Sequence, residues 1–158
     1  EYFVKFQCKP SVTDFVFKGL DKAKFNPLID LEEFDEIVIC PSNPFVSISP
    51  IIQLDTLNQF LKSHPERVSV VSPIVNSKSL KGPTSKMMNE LGMDTSVLTI
   101  ANYYSEYART LFIDSTDHQE ESLIADMGYK VSVTNLVMNN LDSKINLAQS
   151  VIDYLEAK

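Results

Sequence analysis

The chain has 158 residues, 44% of them hydrophobic and 22% charged, which suits one domain with a sizeable core and excludes a disordered chain. Its 14 basic and 21 acidic residues give a net charge of -7, which opposes binding to nucleic acid. The longest apolar runs are only as long as strands, so no membrane-spanning helix is predicted. Cys8 and Cys40 predict small buried thiols of a reducing cytoplasm, and His64 and His118 form no zinc motif.

Residues 1–35 are predicted to form an extension of the domain. Residues 2–7 nearly alternate between apolar and polar, and residues 15–17 form a second apolar segment beyond a Lys-Pro-Ser turn, which indicates a small hairpin-like unit. Because the chain runs from Glu1 straight into a strand-like segment without a methionine, we expect it to start inside a longer protein.

Residues 36–158 alternate between strand and helix signals. Short apolar runs predict four strands, at residues 37–40, 68–71, 111–113 and 131–133. Strands separated by helices favour right-handed crossovers and a mostly parallel sheet covered on both faces. The predicted class is therefore a single α/β domain with an open three-layer, Rossmann-like architecture.

Helices are predicted between and after these strands, at residues 50–61, 83–92, 95–107 and 118–127 and from about residue 142. Ser49 is predicted as the N-cap of the first helix, with Pro50 at its first helical position. A capping box is predicted for Asp117 and Glu120. The last helix has one apolar stripe, the pattern of a face that packs on a core, formed by Ile145, Ala148, Ile152 and Leu155.

Polar residues follow the carboxyl ends of the predicted strands, where open parallel sheets bind ligands. In chain order they are Pro41 to Pro44 with Ser47 and Ser49, then Lys78, Lys81, Gly82, Ser85 and Lys86, then Asp114, Ser115 and Asp117, then Thr134 and Asn135. Hydroxyls, an amide, helix N–H groups and three lysines predict an anion site, for phosphate or diphosphate. Taken singly, the same residues also fit a turn, solvated lysines and a helix cap.

Several consecutive motifs carry more specific information. They are PSNPFVSI at 41–48, SPIV at 72–75, LKGP at 80–83, KMM at 86–88, ELG at 90–92, FID at 112–114, VT at 133–134 and VM at 137–138. In this order and spacing they resemble the C-terminal half of the 2-phospho-L-lactate transferase family, the CofD family.

The resemblance implies an enzyme that transfers a phospholactyl or phosphoenolpyruvyl group from a guanosine diphosphate-activated donor to the ribityl hydroxyl of a deazaflavin. The reaction releases GMP, requires magnesium and belongs to coenzyme F-420 biosynthesis. A cytoplasmic homo-oligomer with neither nucleic acid nor membrane as a partner is expected. The family's glycine-rich loop and acidic metal-binding motif belong to the first half of the protein, so this chain is expected to be the C-terminal part of a longer enzyme.

The same resemblance implies contacts to the substrate or nucleotide from Ser42, Asn43, Pro44, Ser47, Lys81, Gly82, Lys86, Asp114, Asp117 and Thr134. Ser42, Asn43 and Ser47 are expected to hold the nucleotide or its diphosphate. Asp114 and Asp117 are expected near the metal or the acceptor. Neither a general base nor a definite metal ligand is predicted in this chain.

Two other functions stay open at this point. One is a nucleotide- or UDP-sugar-binding regulator on the same superfold, without transferase activity. The other is a non-catalytic module that forms oligomers.

Overall fold

The structure, a computed structural model, describes residues 1–79 and 82–158. Its strands are, in chain order, β1 Ile37–Ile39, β2 Val68–Val71, β3 Ile74–Val75, β4 Lys78–Ser79, β5 Thr110–Asp114 and β6 Lys130–Thr134. A parallel sheet has the order β1-β2-β5-β6, and β3 pairs with β4 as a separate antiparallel hairpin. The predicted α/β class with a mostly parallel sheet is confirmed.

The helices are α1 Ser49–Ile52, α2 Asp55–Ser63, α3 Thr84–Glu90, α4 Val97–Tyr104, α5 Glu121–Asp126 and α6 Leu141–Glu156. A π-helical turn, Pro44–Ile48, leads directly into α1. Short 3₁₀ helices lie at Leu20–Lys22, Leu31–Glu33, Pro65–Arg67 and Ser115–Glu120. Among the described residues, no helix combines the length and the apolar character that crossing a membrane requires.

Two hydrophobic cores lie on opposite faces of the sheet. Leu111 and Ile113 of β5 point into the larger core, which receives side chains from helices α1 to α5. Phe112 points to the other face and packs with Leu147 and Val151 of α6. Because strands that follow one another in the chain are neighbours in the sheet, right-handed crossovers place their helices on one face. Helix α6 covers the other face and completes the three layers.

The predicted hairpin-like extension does not form. Residues 1–36, all of which are described, contain turns and two 3₁₀ helices but no strand. The backbone N–H of Lys5 donates to the carbonyl of Glu1 at 2.9 Å, so the segment curls on itself. Gln7 and Cys8 have φ angles of 49° and 59°, in the left-handed region that a regular strand does not use.

The first predicted helix begins earlier than expected and is interrupted. Asn43 caps the π-helical turn that precedes α1, so Ser49 lies within the helical segment and is not its N-cap. The Asn43 side chain accepts hydrogen bonds from two backbone N–H groups, and the helical turn therefore starts before Ser49. Helix α1 ends at Ile52, and Leu54 has extended backbone angles before α2 begins.

Two loop predictions also differ from the structure. The segment after β2, predicted as a loop, contains the β3–β4 hairpin, in which Asn76 and Ser77 have φ angles of 48° and 56°. Positive φ at both central residues is the geometry of tight hairpin turns, and asparagine tolerates it well. The capping box of Asp117 and Glu120 does not form, because Asp114 caps the 3₁₀ helix after β5 instead.

Helix α6 packs on the sheet mainly through a face other than the predicted one. Leu147 and Val151 are buried, whereas Ile145 and Ile152 are 53% and 47% exposed. Leu155, also in the predicted stripe, is partly buried against the smaller core. The helix carries apolar residues on two faces, and helical spacing alone cannot tell which face meets the sheet.

Shortening a side chain to alanine is expected to affect stability differently on the two faces of α6. We expect Leu147→Ala to lower the free energy of unfolding by about 2–5 kcal/mol, because it leaves a cavity against the sheet. We expect Ile145→Ala to change it by no more than about 0.5 kcal/mol, since that side chain is exposed. Urea unfolding followed by circular dichroism measures both, and equal losses would show that the wrong face has been assigned to the core.

Candidate functional site

A cleft of about 590 Å³ opens at the carboxyl edge of the parallel sheet. The loops that follow β1, β2 and β6, the start of α3 and one residue of the N-terminal segment build its walls. The lining residues are Phe3, Pro41, Ser42, Asn43, Val46, Ser47, Pro73, Gly82, Pro83, Thr84, Val137, Met138 and Asn139. None of these described residues is charged, and the volume suits a small-molecule site.

Asn43 shapes the wall that follows β1. Its Oδ1 accepts hydrogen bonds from the N–H groups of Phe45 at 2.9 Å and Val46 at 3.1 Å. Its Nδ2 donates to Sδ of Met87 at 3.3 Å. Pro44 is buried and does not line the cleft. Both ends of the Asn43 amide are thus engaged within the protein, and this residue orients the wall.

The hydroxyls of Ser42 and Ser47 are the free polar groups of this wall. Both residues line the cleft, and neither hydroxyl has a hydrogen-bond partner among the described residues. Ser47 is exposed and Ser42 is half-buried. A hydroxyl can donate and accept, so the two serines are suited to hydrogen bonds with an uncharged polar ligand.

Asp117 holds the wall that follows β2. Its Oδ2 accepts a hydrogen bond from the backbone N–H of Asn76 at 2.9 Å, which ties the β3–β4 hairpin to the segment after β5. Pro73, immediately before that hairpin, lines the cleft. Burial raises the pKa of Asp117, the Asn76 N–H opposes this rise, and the charge of Asp114 adds to it.

Asp114 holds the wall that follows β6. Its Oδ2 accepts from the backbone N–H of Leu136 at 2.8 Å, and its Oδ1 accepts from the N–H and the hydroxyl of Thr116 at 3.0 and 2.7 Å. Burial alone would raise the pKa of Asp114, but these hydrogen bonds outweigh it and hold the pKa below its ordinary value. Val137, which lines the cleft, follows Leu136 directly.

Lys86 lies outside the cleft and fastens the N-terminal segment to α3. Its Nζ donates to Oε1 of Glu90 at 2.5 Å and to the carbonyl of Pro10 at 2.8 Å, and it lies 5.8 Å from the centre of the Tyr2 ring. The other carboxylate oxygen of Glu90 accepts from the N–H of Val12 at 3.0 Å. The hydrogen bond that Lys86 donates to Glu90 is the main cause that raises the pKa of Lys86.

The structure brings part of the predicted site together. Four predicted residues line the cleft: Ser42, Asn43, Ser47 and Gly82. Five lie outside its lining: Pro44, Lys86, Asp114, Asp117 and Thr134. Lys81 lies outside the described residues. The nucleotide contacts assigned to these residues stay predictions.

Phe3 and Met138 line the cleft and were not among the predicted site residues. Met138 belongs to the VM motif at 137–138, and this motif of the family resemblance is the sequence signal for its position. Phe3 is distant in sequence from every strand end, and the sequence contains no signal that places it here.

The described residues do not form a metal site of their own. They contain no group of three or more histidine, cysteine, aspartate or glutamate side chains arranged to hold a metal. Asp114 uses both carboxylate oxygens to bind N–H and hydroxyl groups, and Asp117 uses one. The two aspartates position loops, and their hydrogen bonds to these loops offset the cost of burying their carboxylates.

Replacing the two aspartates by asparagine separates their roles. Asp114→Asn directs an amide N–H₂ toward groups that donate, so we expect the free energy of unfolding at pH 7 to fall by about 1–3 kcal/mol. Asp117→Asn keeps an oxygen for the Asn76 N–H and removes a buried charge, so we expect greater stability at pH 7.

The pH dependence of these two variants follows from the direction of each pKa shift. The lowered pKa of Asp114 gives stability that is present above the unfolded-state pKa, about 3.9, and is lost as the pH falls through the folded-state value. The raised pKa of Asp117 costs stability as the pH rises through its folded-state value. Urea unfolding between pH 3 and 8 should show effects of opposite sign at neutral pH that shrink at low pH, and equal signs would contradict these roles.

The cap provided by Asn43 can be tested with a matched pair of variants. Asn43→Ala removes the acceptor for two N–H groups, and we expect a loss of about 1 kcal/mol in the free energy of unfolding. Asn43→Asp keeps a capping oxygen and should lose less, because aspartate caps helices as well as asparagine does. Equal losses for the two variants would show that the contact with Met87, and not the cap, matters.

Comparison with known proteins identifies the family of this chain. The model of the family 2-phospho-L-lactate transferase CofD matches residues 1–143. The 2-phospho-L-lactate transferase of Methanocaldococcus jannaschii is 32% identical over 156 residues, which are 98% of this chain and 49% of the relative. That of Methanococcoides burtonii is 32% identical over 154 residues, 96% of this chain and 50% of the relative.

A third relative agrees with these two. The 2-phospho-L-lactate transferase of Methanothermobacter thermautotrophicus is 32% identical over 152 residues, 96% of this chain and 49% of the relative. The chain spans about half the length of the curated relatives it matches. The resemblance inferred from the motifs is confirmed, and the chain belongs to the CofD family of 2-phospho-L-lactate transferases.

Proposed function

We propose that this chain is the C-terminal half of a transferase in coenzyme F-420 biosynthesis. The enzyme moves a phospholactyl or phosphoenolpyruvyl group from a guanosine diphosphate-activated donor to the ribityl hydroxyl of a deazaflavin and releases GMP. One observation carries this proposal beyond family membership. Residues 41–48, which carry much of the family resemblance, form one wall of the cleft at the carboxyl edge of the sheet.

In the proposed reaction, the ribityl oxygen forms a bond to phosphorus while the bond from phosphorus to the oxygen of GMP breaks. The hydroxyl proton passes to a base. Reactions of this kind depend on positioning the reactants and on stabilising the charge of the transition state. The described lining offers hydroxyl, amide and apolar groups, so this half contributes positioning. We propose that the base and most of the charge stabilisation come from residues outside the described part of this chain.

Magnesium, expected from the family resemblance, does not fit a site made of the described residues alone. We propose that the ion would be held by the diphosphate of the donor and by ligands outside the described part of this chain. Magnesium commonly uses one or two carboxylates together with substrate phosphates, so it does not need a complete cage from one half of a protein. Cytoplasmic location and a homo-oligomeric state stay predictions.

Calorimetry with guanosine diphosphate and magnesium tests this proposal. We expect the full-length protein to bind the nucleotide and to produce GMP when the donor and the deazaflavin are supplied. We expect this chain alone to bind it at least tenfold more weakly, because the charged part of the site is incomplete. No binding by either form would remove the transferase function, and binding of a UDP-sugar without transfer would favour a regulator.

Ser47→Ala tests the role of the cleft wall in the same assay. We expect the full-length variant to lose about tenfold in kcat/KM, the effect of losing one hydrogen bond to the substrate. Ser122→Ala is the matched control, since Ser122 is an exposed serine on α5, outside the cleft lining. Equal activities of the two variants would show that this wall does not contact the substrates.

A further inference from the structure

Tyr103 of α4 lies behind the wall of the cleft that follows β1, outside the described lining. We infer, resting on the function proposed above, that Tyr103 is a positioning residue of the transferase. Its hydroxyl holds the turn Pro44–Ile48 in its π-helical form, and this form directs the hydroxyl of Ser47 into the cleft. Tyr103 thus acts on the substrates through Ser47 and does not touch them.

The turn Pro44–Ile48 has the hydrogen bonds of a π-helix. The N–H of Ile48 donates to the carbonyl of Asn43 at 3.2 Å, and the N–H of Ser49 donates to the carbonyl of Pro44. Each of these bonds joins residue i to residue i+5, whereas an α-helical bond joins i to i+4. Because successive residues of an α-helix are rotated by about 100°, relaxation to an α-helical turn would turn Ser47 relative to the cleft.

The Tyr103 hydroxyl favours the π-helical form of the turn. It donates to the carbonyl of Pro44 at 3.2 Å, and the same carbonyl accepts a hydrogen bond from the N–H of Ser49. A carbonyl oxygen has two lone pairs, so both hydrogen bonds can form together. In an α-helical turn the Pro44 carbonyl would accept from the N–H of Ile48 instead, and it would change direction relative to the Tyr103 hydroxyl.

Aromatic contacts keep the Tyr103 hydroxyl in place. The Tyr103 ring meets the rings of Phe45 and Tyr104 edge to face, with centroids 5.7 and 4.9 Å apart. Phe45, which belongs to the turn itself, is buried and stacks on Phe15 of the N-terminal segment with centroids 5.5 Å apart. Close packing restrains these rings, so the hydroxyl meets the turn at a fixed point.

The Tyr103 hydroxyl keeps its proton at neutral pH and can therefore donate. Burial raises the pKa of Tyr103, the Ser49 hydroxyl partly opposes this rise, and the charge of Tyr107 adds to it. The ordinary pKa of a tyrosine, about 10, already lies above neutrality. The hydrogen bond to the Pro44 carbonyl therefore does not depend on pH near neutrality.

Ser47 is the residue through which this turn reaches a ligand. It lines the cleft, and its hydroxyl has no hydrogen-bond partner among the described residues, whereas both ends of the Asn43 amide are engaged within the protein. Ser42 also lines the cleft but precedes the turn, so the helical form of the turn does not set its direction. Tyr103 should therefore affect Ser47 and leave Ser42 unchanged.

Tyr103→Phe in the full-length protein removes the hydroxyl and keeps the ring. We expect kcat/KM for GMP release, with the donor and the deazaflavin supplied, to fall about three- to tenfold. Tyr129→Phe is the matched control, because the Tyr129 hydroxyl also donates to a backbone carbonyl, that of Ala101 on α4, at 2.7 Å and lies outside the lining. We expect it to change kcat/KM by less than about twofold. An equal fall in both variants would assign the effect to the general stability of α4 and contradict the inference.

Double variants show whether Tyr103 acts through Ser47. Once Ser47→Ala has removed the hydroxyl, its direction no longer matters, so we expect the addition of Tyr103→Phe to lower kcat/KM by less than about twofold more. In the matched background of Ser42→Ala, we expect Tyr103→Phe to cause its full loss of about three- to tenfold. Losses that multiply in both backgrounds would overturn the inference.

Amide hydrogen exchange examines the turn without relying on activity. The N–H groups of Ile48 and Ser49 form the π-helical bonds, so their exchange reports on the form of the turn. In the full-length protein we expect Tyr103→Phe to speed this exchange about tenfold, the effect of one lost hydrogen bond, and Tyr129→Phe to leave it unchanged. Unchanged exchange in Tyr103→Phe would show that the hydroxyl does not hold the turn.

The outcomes separate this inference from the proposed function. If Tyr103→Phe matches the unaltered enzyme in exchange and in kcat/KM, the inference fails, while GMP release by the unaltered enzyme still supports the transferase. An unchanged kcat/KM in Ser47→Ala also overturns the inference, because Tyr103 would then have no substrate contact to position. Absence of GMP release by the unaltered full-length protein overturns the function and the inference together.

Discussion

The cleft depends on two buried carboxylates that bind the backbone of neighbouring loops. Asp114 accepts a hydrogen bond from the N–H of Leu136, and Asp117 accepts one from the N–H of Asn76. The last residue of β5 and the 3₁₀ helix that follows it thus hold segments that come after two other strands. Buried backbone N–H groups need partners, and a loop at a strand end has no ladder to supply them. A pair of short acidic side chains therefore fixes the walls of a site that itself carries no charge among its described residues.

Much of the fold can be predicted from the sequence, because buried parallel strands are short apolar runs and the helices between them begin and end at recognisable residues. The position of the cleft follows as well, since ligands bind at the carboxyl edge of such sheets. The motif at residues 41–48 lies at that edge, and Ser42, Asn43 and Ser47 line the cleft.

What the sequence cannot supply is the partner of each polar side chain. The sequence does not show which backbone N–H groups an aspartate at a strand end binds, and Asp114 binds that of Leu136. Lys86 follows a Lys-Gly-Pro motif like a phosphate contact, yet it binds Glu90 on its own helix and the carbonyl of Pro10 in the distant N-terminal segment. The orientation of α6 is hidden for a related reason, because both of its apolar faces have helical spacing and only the tertiary packing chooses Leu147 over Ile145.

The end of α6 returns the chain to the beginning of the sheet. Nζ of Lys158 donates to both carboxylate oxygens of Glu36, at 2.8 and 2.9 Å, just before β1 starts. Glu36 and Lys158, which are far apart in the sequence, are thus neighbours in space. This ion pair ties the end of the helix that covers one face of the sheet to the residue that precedes its first strand. It therefore links two elements that no ladder hydrogen bond joins.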